Sequence, residues 1–222
     1  IILVGLSYRI EKNYLLYGLD ILKKISKSTL DNTGFPKTRN IKQLIFYLKY
    51  FILIREWFRE AQATVPEHIE ETIYHLGQGY AFVWQNVKID LFFNGNTNSN
   101  NYEFDNYLKR LGYKFKNDNY DFGGYVVFKD KKTSLIMDVG STPNPKYTKD
   151  YQSGALSFEI IRNGKKLISN CGYFGSGNSK LNEISKSTAT QSTLIIDDHS
   201  SCKINKSSNI NKGLKILNKT II

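Results

Sequence analysis

Apolar residues in this chain change their spacing once, and that change limits the folds open to it. From Tyr14 to about Tyr80 they recur every three or four positions, through Leu15, Leu19, Leu22 and Ile25 and then Ile41, Leu44, Ile45, Leu48, Phe51, Ile52 and Ile54. From Gly112 onward they recur every second position. The first period puts side chains along one stripe of a helix, and the second puts them on one face of a strand. The expectation is an α+β fold, helical over residues 1–112 and strand-rich over 113–222, with the seam between residues 112 and 122.

Within the helical part, Ile41–Phe58 is apolar around most of its circumference, which predicts a helix buried between neighbours. Asp31-Asn32-Thr33-Gly34-Phe35-Pro36 is dense in turn formers and reads as a loop. Pro66-Glu67 reads as the start of a further helix reaching about Leu76, and Tyr102–Leu111 as a shorter one. Tyr125–Phe128, Ser134–Val139, Ala155–Ile161, Lys166–Cys171 and Ser192–Ile196 read as strands. Asn163-Gly164 supplies the two positive-φ residues of a tight hairpin turn, and an unbroken ladder from that turn sets Ser157 opposite Asn170. The polar stretches near 96–101 and 205–211 read as loops.

A formal net charge of +11 suits an acidic partner, although the lysines are scattered rather than gathered into a stripe. No nucleic-acid recognition module is visible, and no apolar run approaches the roughly 20 residues of a membrane span. Cys171 and Cys202 are too few for a disulfide framework, which leaves either one bridge or two buried thiols. His68 is expected on an exposed helix face, His75 near a helix end and His199 in a loop. The chain opens at Ile1 and stops at Ile222 without a clear terminus, and it reads as an internal piece of a longer protein.

Leu156-Ser157-Phe158-Glu159, the turn, and a returning strand ending at Gly172 resemble a signature of the heparinase II/III family of polysaccharide lyases. The same order of motifs extends from Asp31–Asn40 through Phe93-Asn94-Gly95, Gly124-Tyr125, Asp138-Val139-Gly140 and Thr188–Asp197. The resemblance implies an incomplete α/α toroid followed by the start of an antiparallel β-sandwich, in a periplasmic or cell-envelope bacterial protein. It implies β-elimination at the uronic acids of an acidic polysaccharide such as heparin, heparan or alginate, in a cleft where the two parts meet. Such chemistry needs a base, an acid, and a group that neutralises the carboxylate.

The family's reactive positions are changed here. Where metal-binding members read His-x-His-x-Asp, this chain has Asp150, Gln152 and Gly154, and the further ligand positions hold Asn170 and Gln191. Amides are poor zinc ligands, so no metal cofactor is expected. Pro36 occupies a loop position often held by His, and Gln43 stands where the catalytic Tyr would be, with Tyr47 one turn on. Arg39 and Asn40 survive as partners for a uronate, with a solvated charge the alternative for Arg39. Lys186 stands at an Arg position, and Tyr147 and Tyr151 suit either sugar stacking or packing at the sheet edge. The candidate substrate-binding set is therefore Arg39, Asn40, Asp150, Tyr151, Gln152, Asn170, Lys186 and Gln191.

Overall fold

The computed structural model describes residues 1–8, 12–97, 101–175, 179–205 and 210–220. Its helical part comprises α1 (Ile2–Ser7), α2 (Lys12–Thr29), α3 (Ile41–Glu60), α4 (Glu67–Tyr80) and α5 (Asn101–Arg110). α4 runs on into one π-helical turn, Ala81–Gln85. Five antiparallel strands follow in simple meander order: β1 (Asp121–Phe122), β2 (Tyr125–Lys129), β3 (Thr133–Asp138), β4 (Phe158–Arg162) and β5 (Lys165–Ile168). The short α6 (Ser179–Ser185), a separate ribbon of β6 (Lys203–Ile204) with β7 (Ile210–Lys212), and two 3-10 turns, Pro145–Tyr147 and Thr188–Thr190, complete the described elements. The α+β class read from the sequence is the one found.

α3 buries Ile41, Leu44, Leu48, Phe51, Ile52, Ile54 and Phe58. At about 1.5–3 kcal/mol each, these side chains contribute roughly 10–20 kcal/mol of gross burial. The helix also has a side-chain cap: Asn40 Oδ1 accepts from the backbone N–H of Lys42 at 2.8 Å and of Gln43 at 3.3 Å. A cap contributes only about 0.5–2 kcal/mol, so it sets where α3 begins while burial decides that α3 forms. The helix is not covered all round, since Phe46 and Tyr50 are exposed, their rings tilted against each other with centres 4.6 Å apart.

One apolar core runs through both parts, joining α3 and α4 residues to Phe93, Tyr125, Val127, Ile136 and Ile161. The main polar join sits beside it. Arg39 is buried, and its guanidinium donates to Asp138 Oδ1 at 2.5 Å, to the Gly124 carbonyl at 2.9 Å and to the Ser141 carbonyl at 3.2 Å. Asn94 Nδ2 donates to Asp138 Oδ2 at 2.8 Å and to Tyr125 Oη at 2.7 Å, and Tyr125 Oη in turn donates to the Arg39 carbonyl at 2.7 Å. Burial works against the Arg39 charge, yet Asp138 together with Tyr125 and Tyr151 more than offsets it, and the guanidinium pKa is raised. Gly140 makes the approach possible, because a Cβ there would lie 2.4 Å from the Arg39 guanidinium carbon.

Four strand expectations change. β5 ends at Ile168 rather than Cys171, because the N–H groups of Asn170 and Cys171 go to Glu159 Oε1 and the Thr190 carbonyl. Leu156 takes φ +57, which breaks the extended backbone, so β4 begins at Phe158 rather than Ala155. Ile161 pairs with Lys166 but Ile160 pairs with Ile168, so Leu167 is bulged out and Ser157 does not lie opposite Asn170. Ser192–Ile196 forms no ladder. Ser192 alone hydrogen-bonds Phe158, and Asp197 and Asp198, at φ +50 and +54, turn the chain back so that Ile196 bridges only His199.

Candidate functional site

Between the N-terminal end of α3 and the loops around β4 and β5 lies a cleft of about 760 Å³. On the helical side Asn40, Lys42, Gln43, Phe46 and Tyr47 line it. The facing side is Lys149, Asp150, Tyr173, Phe174 and Gly175, with Gly95 and Thr97 between. The floor is tight. Gly95 has φ +86, and a Cβ on it would meet Asn40 Nδ2 at 2.6 Å and Asp150 at 2.9 Å, so only glycine lets the two parts close here.

The polar groups of the facing side are ordered by one another. Tyr173 Oη donates to Asp150 Oδ1 at 2.8 Å and accepts from Asn182 Nδ2 of α6 at 3.2 Å. Burial raises the pKa of the Tyr173 hydroxyl, Asn182 works against this, and the bond and charge of Asp150 add to it. Lys186 is buried, donates from Nζ to the Lys149 carbonyl at 2.6 Å, and lies 5.9 Å from the Tyr173 ring centre. Burial lowers its pKa, with Asp150 opposing and Lys149 adding to the effect. The cleft thus carries two exposed lysines, four aromatic rings, a carboxylate and several amide groups. That set suits a sugar ring bearing an anionic substituent.

Of the eight candidate binding residues read from the sequence, Asn40 and Asp150 line the cleft and the other six are buried; Gln43 and Tyr47, the other helix positions singled out, line it as well. Arg39 is neither a solvated charge nor open to a ligand, because Asp138 and two carbonyls hold its guanidinium. Tyr151 is buried against Cys202 and Ile210, away from any stacking position. Tyr147 donates its hydroxyl to the Ser28 carbonyl at 2.7 Å, joining the sheet side to α2. Lys186 is sequestered as described above.

Gln152, Asn170 and Gln191 do come together, but as an internal hub. Gln152 Oε1 accepts from the Gly95 N–H at 3.1 Å, while its Nε2 donates to the carbonyls of Gly172 at 2.9 Å and Ser185 at 2.7 Å. Gln191 Nε2 donates to the same Ser185 carbonyl at 2.9 Å. Asn170 Oδ1 accepts from Ser192 N–H and Oγ, both at 3.0 Å. The Gln152 and Asn170 oxygens are therefore already engaged, and an amide donor set does not fit a zinc ion. Among the described residues no group of three His, Cys, Asp or Glu side chains is placed to hold a metal.

Other expectations also shift. Cys171 and Cys202 are both free, but Cys171 is exposed rather than buried. His68 is half-buried, with its Nε2 enclosed and unpartnered, because α4 packs near α2 and Lys23. Sequence reasoning missed Tyr173, Lys42 and Lys149. Tyr173 follows the signature Gly172 directly, and that adjacency was the available signal.

Residues 116–220 match the protein family described as heparinase II/III-like, C-terminal. Those residues belong to the heparinase II/III-like family. The fold agrees over a longer span: heparan sulfate lyase HepC from Pedobacter heparinus superposes with a TM-score of 0.72 at 14% identity, over 90% of this chain and 36% of that one. A heparinase III structure gives 0.65 at 16% identity, over 85% and 36%. Another heparinase III gives 0.65 at 19% identity, over 83% and 33%. This chain thus spans about a third of the length of these heparinase structures. No curated protein matches it in sequence. Among the described residues, no helix is long and apolar enough to cross a membrane.

Proposed function

We propose that this heparinase II/III-like chain forms part of a bacterial envelope or periplasmic lyase that cleaves a uronate-containing polysaccharide by β-elimination in the cleft between α3 and the β4–β5 loops. The observation that carries the reading is the lining of that cleft. Lys42 and Lys149 offer cations for a carboxylate or sulfate, Phe46, Tyr47, Tyr173 and Phe174 offer faces for pyranose rings, and two hydroxyls and a carboxylate offer proton-transfer groups. The inward-facing Gln152, Asn170 and Gln191 act as a neutral framework in place of a metal, and nothing in the proposed reaction passes through a metal.

The test is incubation of the protein with heparan sulfate, heparin and alginate, followed by the ultraviolet absorbance of unsaturated uronate products. Absorbance growing with time on at least one polymer supports the reading. No growth on any uronate polymer rejects the enzymatic part of it.

A second reading rests on the substituted positions themselves. Asp150, Gln152 and Gln191 stand at the positions where the resemblance implies imidazoles, and the two of them that are amides do not transfer protons in the working range. On that reading the cleft binds polysaccharide without turning it over. Saturable binding with no product would favour it over the first.

A further inference from the structure

Three separate segments converge on one hydroxyl at the cleft wall. Tyr173 lies in the loop after β5, Asp150 in the loop ahead of β4, and Asn182 on α6. Nothing in their sequence spacing requires this, yet Tyr173 Oη stands between the Asp150 carboxylate at 2.8 Å and the Asn182 amide at 3.2 Å. Both Tyr173 and Asp150 are half-buried and both line the cleft. Lys186 is buried 5.9 Å from the Tyr173 ring centre, within the influence of the Asp150 charge, and Lys149 is the neighbour of Asp150 in sequence. The pair is held as a proton donor and a proton acceptor already joined by a hydrogen bond. On the helical side, Gln43 occupies the family's Tyr position and hydrogen-bonds Thr38, and an amide has no proton to exchange there.

We propose that Tyr173 and Asp150 form the proton-transfer pair of the elimination, with Asp150 as base and Tyr173 as acid. This rests on the lyase reading above. The Asp150 carboxylate takes the proton from the carbon next to the uronate carboxylate. The electrons of that C–H bond form the new C=C bond, and the bond from the adjacent carbon to the glycosidic oxygen breaks. The departing oxygen takes the Tyr173 hydroxyl proton. Asp150 is then neutral and Tyr173 a phenolate, and passage of one proton along their existing hydrogen bond restores both. Atoms and charges balance without metal, oxidant or further reactant. Lys149 and Lys42 face the charge that grows on the uronate carboxylate in the transition state.

Asn182 positions the phenol by donating to its oxygen, and it also stabilises the transient phenolate. The ordinary tyrosine pKa of 10.0 already keeps this hydroxyl protonated at neutral pH, and burial raises it further.

The experiment compares the full wild-type chain with Tyr173→Phe, Asp150→Asn and Tyr47→Phe on whichever uronate polymer gives product. Tyr173→Phe keeps the ring and removes only the hydroxyl. It is expected to lower kcat by about 10²–10⁴-fold with KM changed less than about threefold, and Asp150→Asn to do the same. Thermal midpoints of the variants are read alongside, so that a loss through unfolding is separated from a loss of chemistry. Retention of wild-type kcat by a folded Tyr173→Phe overturns the proposal, as does a loss confined to Tyr47→Phe. If the wild type itself gives no product, the lyase reading falls and this assignment falls with it; an active wild type with an active Tyr173→Phe removes only the assignment.

Discussion

Removing the Asp138 carboxylate tests how the helical part is held to the sheet. Asp138 is 1% exposed, and its two oxygens accept from Arg39, from Gly140 N–H at 3.1 Å and from Asn94. Asp138→Ala leaves the buried Arg39 guanidinium with the carbonyls of Gly124 and Ser141 and the face of the Tyr125 ring, and with no counter-charge. Breaking one side of a buried ion pair costs about 3–5 kcal/mol. The orphaned Gly140 N–H adds about 1 kcal/mol. The loss of about 4–6 kcal/mol is comparable with the whole stability of many domains, so the variant is expected to be marginal. Urea unfolding followed by circular dichroism measures it through the midpoint at unchanged slope. Replacing both partners, as in Arg39→Met with Asp138→Leu, removes the stranded charge, and the double variant is expected to be more stable than Asp138→Ala alone. A loss below about 1 kcal/mol for Asp138→Ala, or a double variant less stable than the single one, would refute the claim that this pair joins the two parts.

Other substitutions probe the neighbouring geometry. Gly140→Ala pushes a methyl to within 2.4 Å of the Arg39 guanidinium carbon, and a loss of about 1–3 kcal/mol in the same urea assay is expected. Gln152→Leu strands the Gly95 N–H and removes the amide donor from the Gly172 carbonyl, while the Ser185 carbonyl keeps Gln191, and a loss of about 1–3 kcal/mol in the same assay is expected. The pKa of Lys186 is lower in the folded chain than its ordinary value of 10.5, so between the two the unfolded chain binds more protons and stability rises with pH. The difference in thermal midpoint between wild type and Lys186→Met, measured from pH 7 to 10.5, should therefore shift in favour of the wild type as pH increases.

The helices and hairpin were legible because each rests on local rules. The spacing of Leu44, Leu48 and Phe51 is that of a buried helical stripe, and Asn163 and Gly164 do take φ +51 and +73 at the turn. The bulge at Leu167 and the break at Leu156 were not legible, since nothing local distinguishes these leucines from their strand neighbours. Arg39 shows the harder limit. Its sequence context is a loop ahead of a helix, where charges are usually solvated, and its partner Asp138 lies 99 residues away. Gln152, Asn170 and Gln191 could be grouped through the family resemblance, but their direction depends on the carbonyls of Gly172 and Ser185, which only the fold supplies. Tyr173 was hidden for the same reason, because its meaning comes from Asp150 and Asn182 rather than from its neighbours in sequence.

The central claim is that the polysaccharide lies in the cleft beside α3 rather than on a diffuse basic surface. The direct measurement is the affinity for heparan sulfate of wild type, of Lys42→Glu with Lys149→Glu, and of Lys131→Glu with Lys132→Glu on the exposed β2–β3 turn. The two double variants carry the same change in net charge. Weakening of about tenfold or more by the cleft pair, with less than about threefold by the turn pair, is the predicted result. Equal weakening by both pairs would place binding on net charge alone and contradict the account.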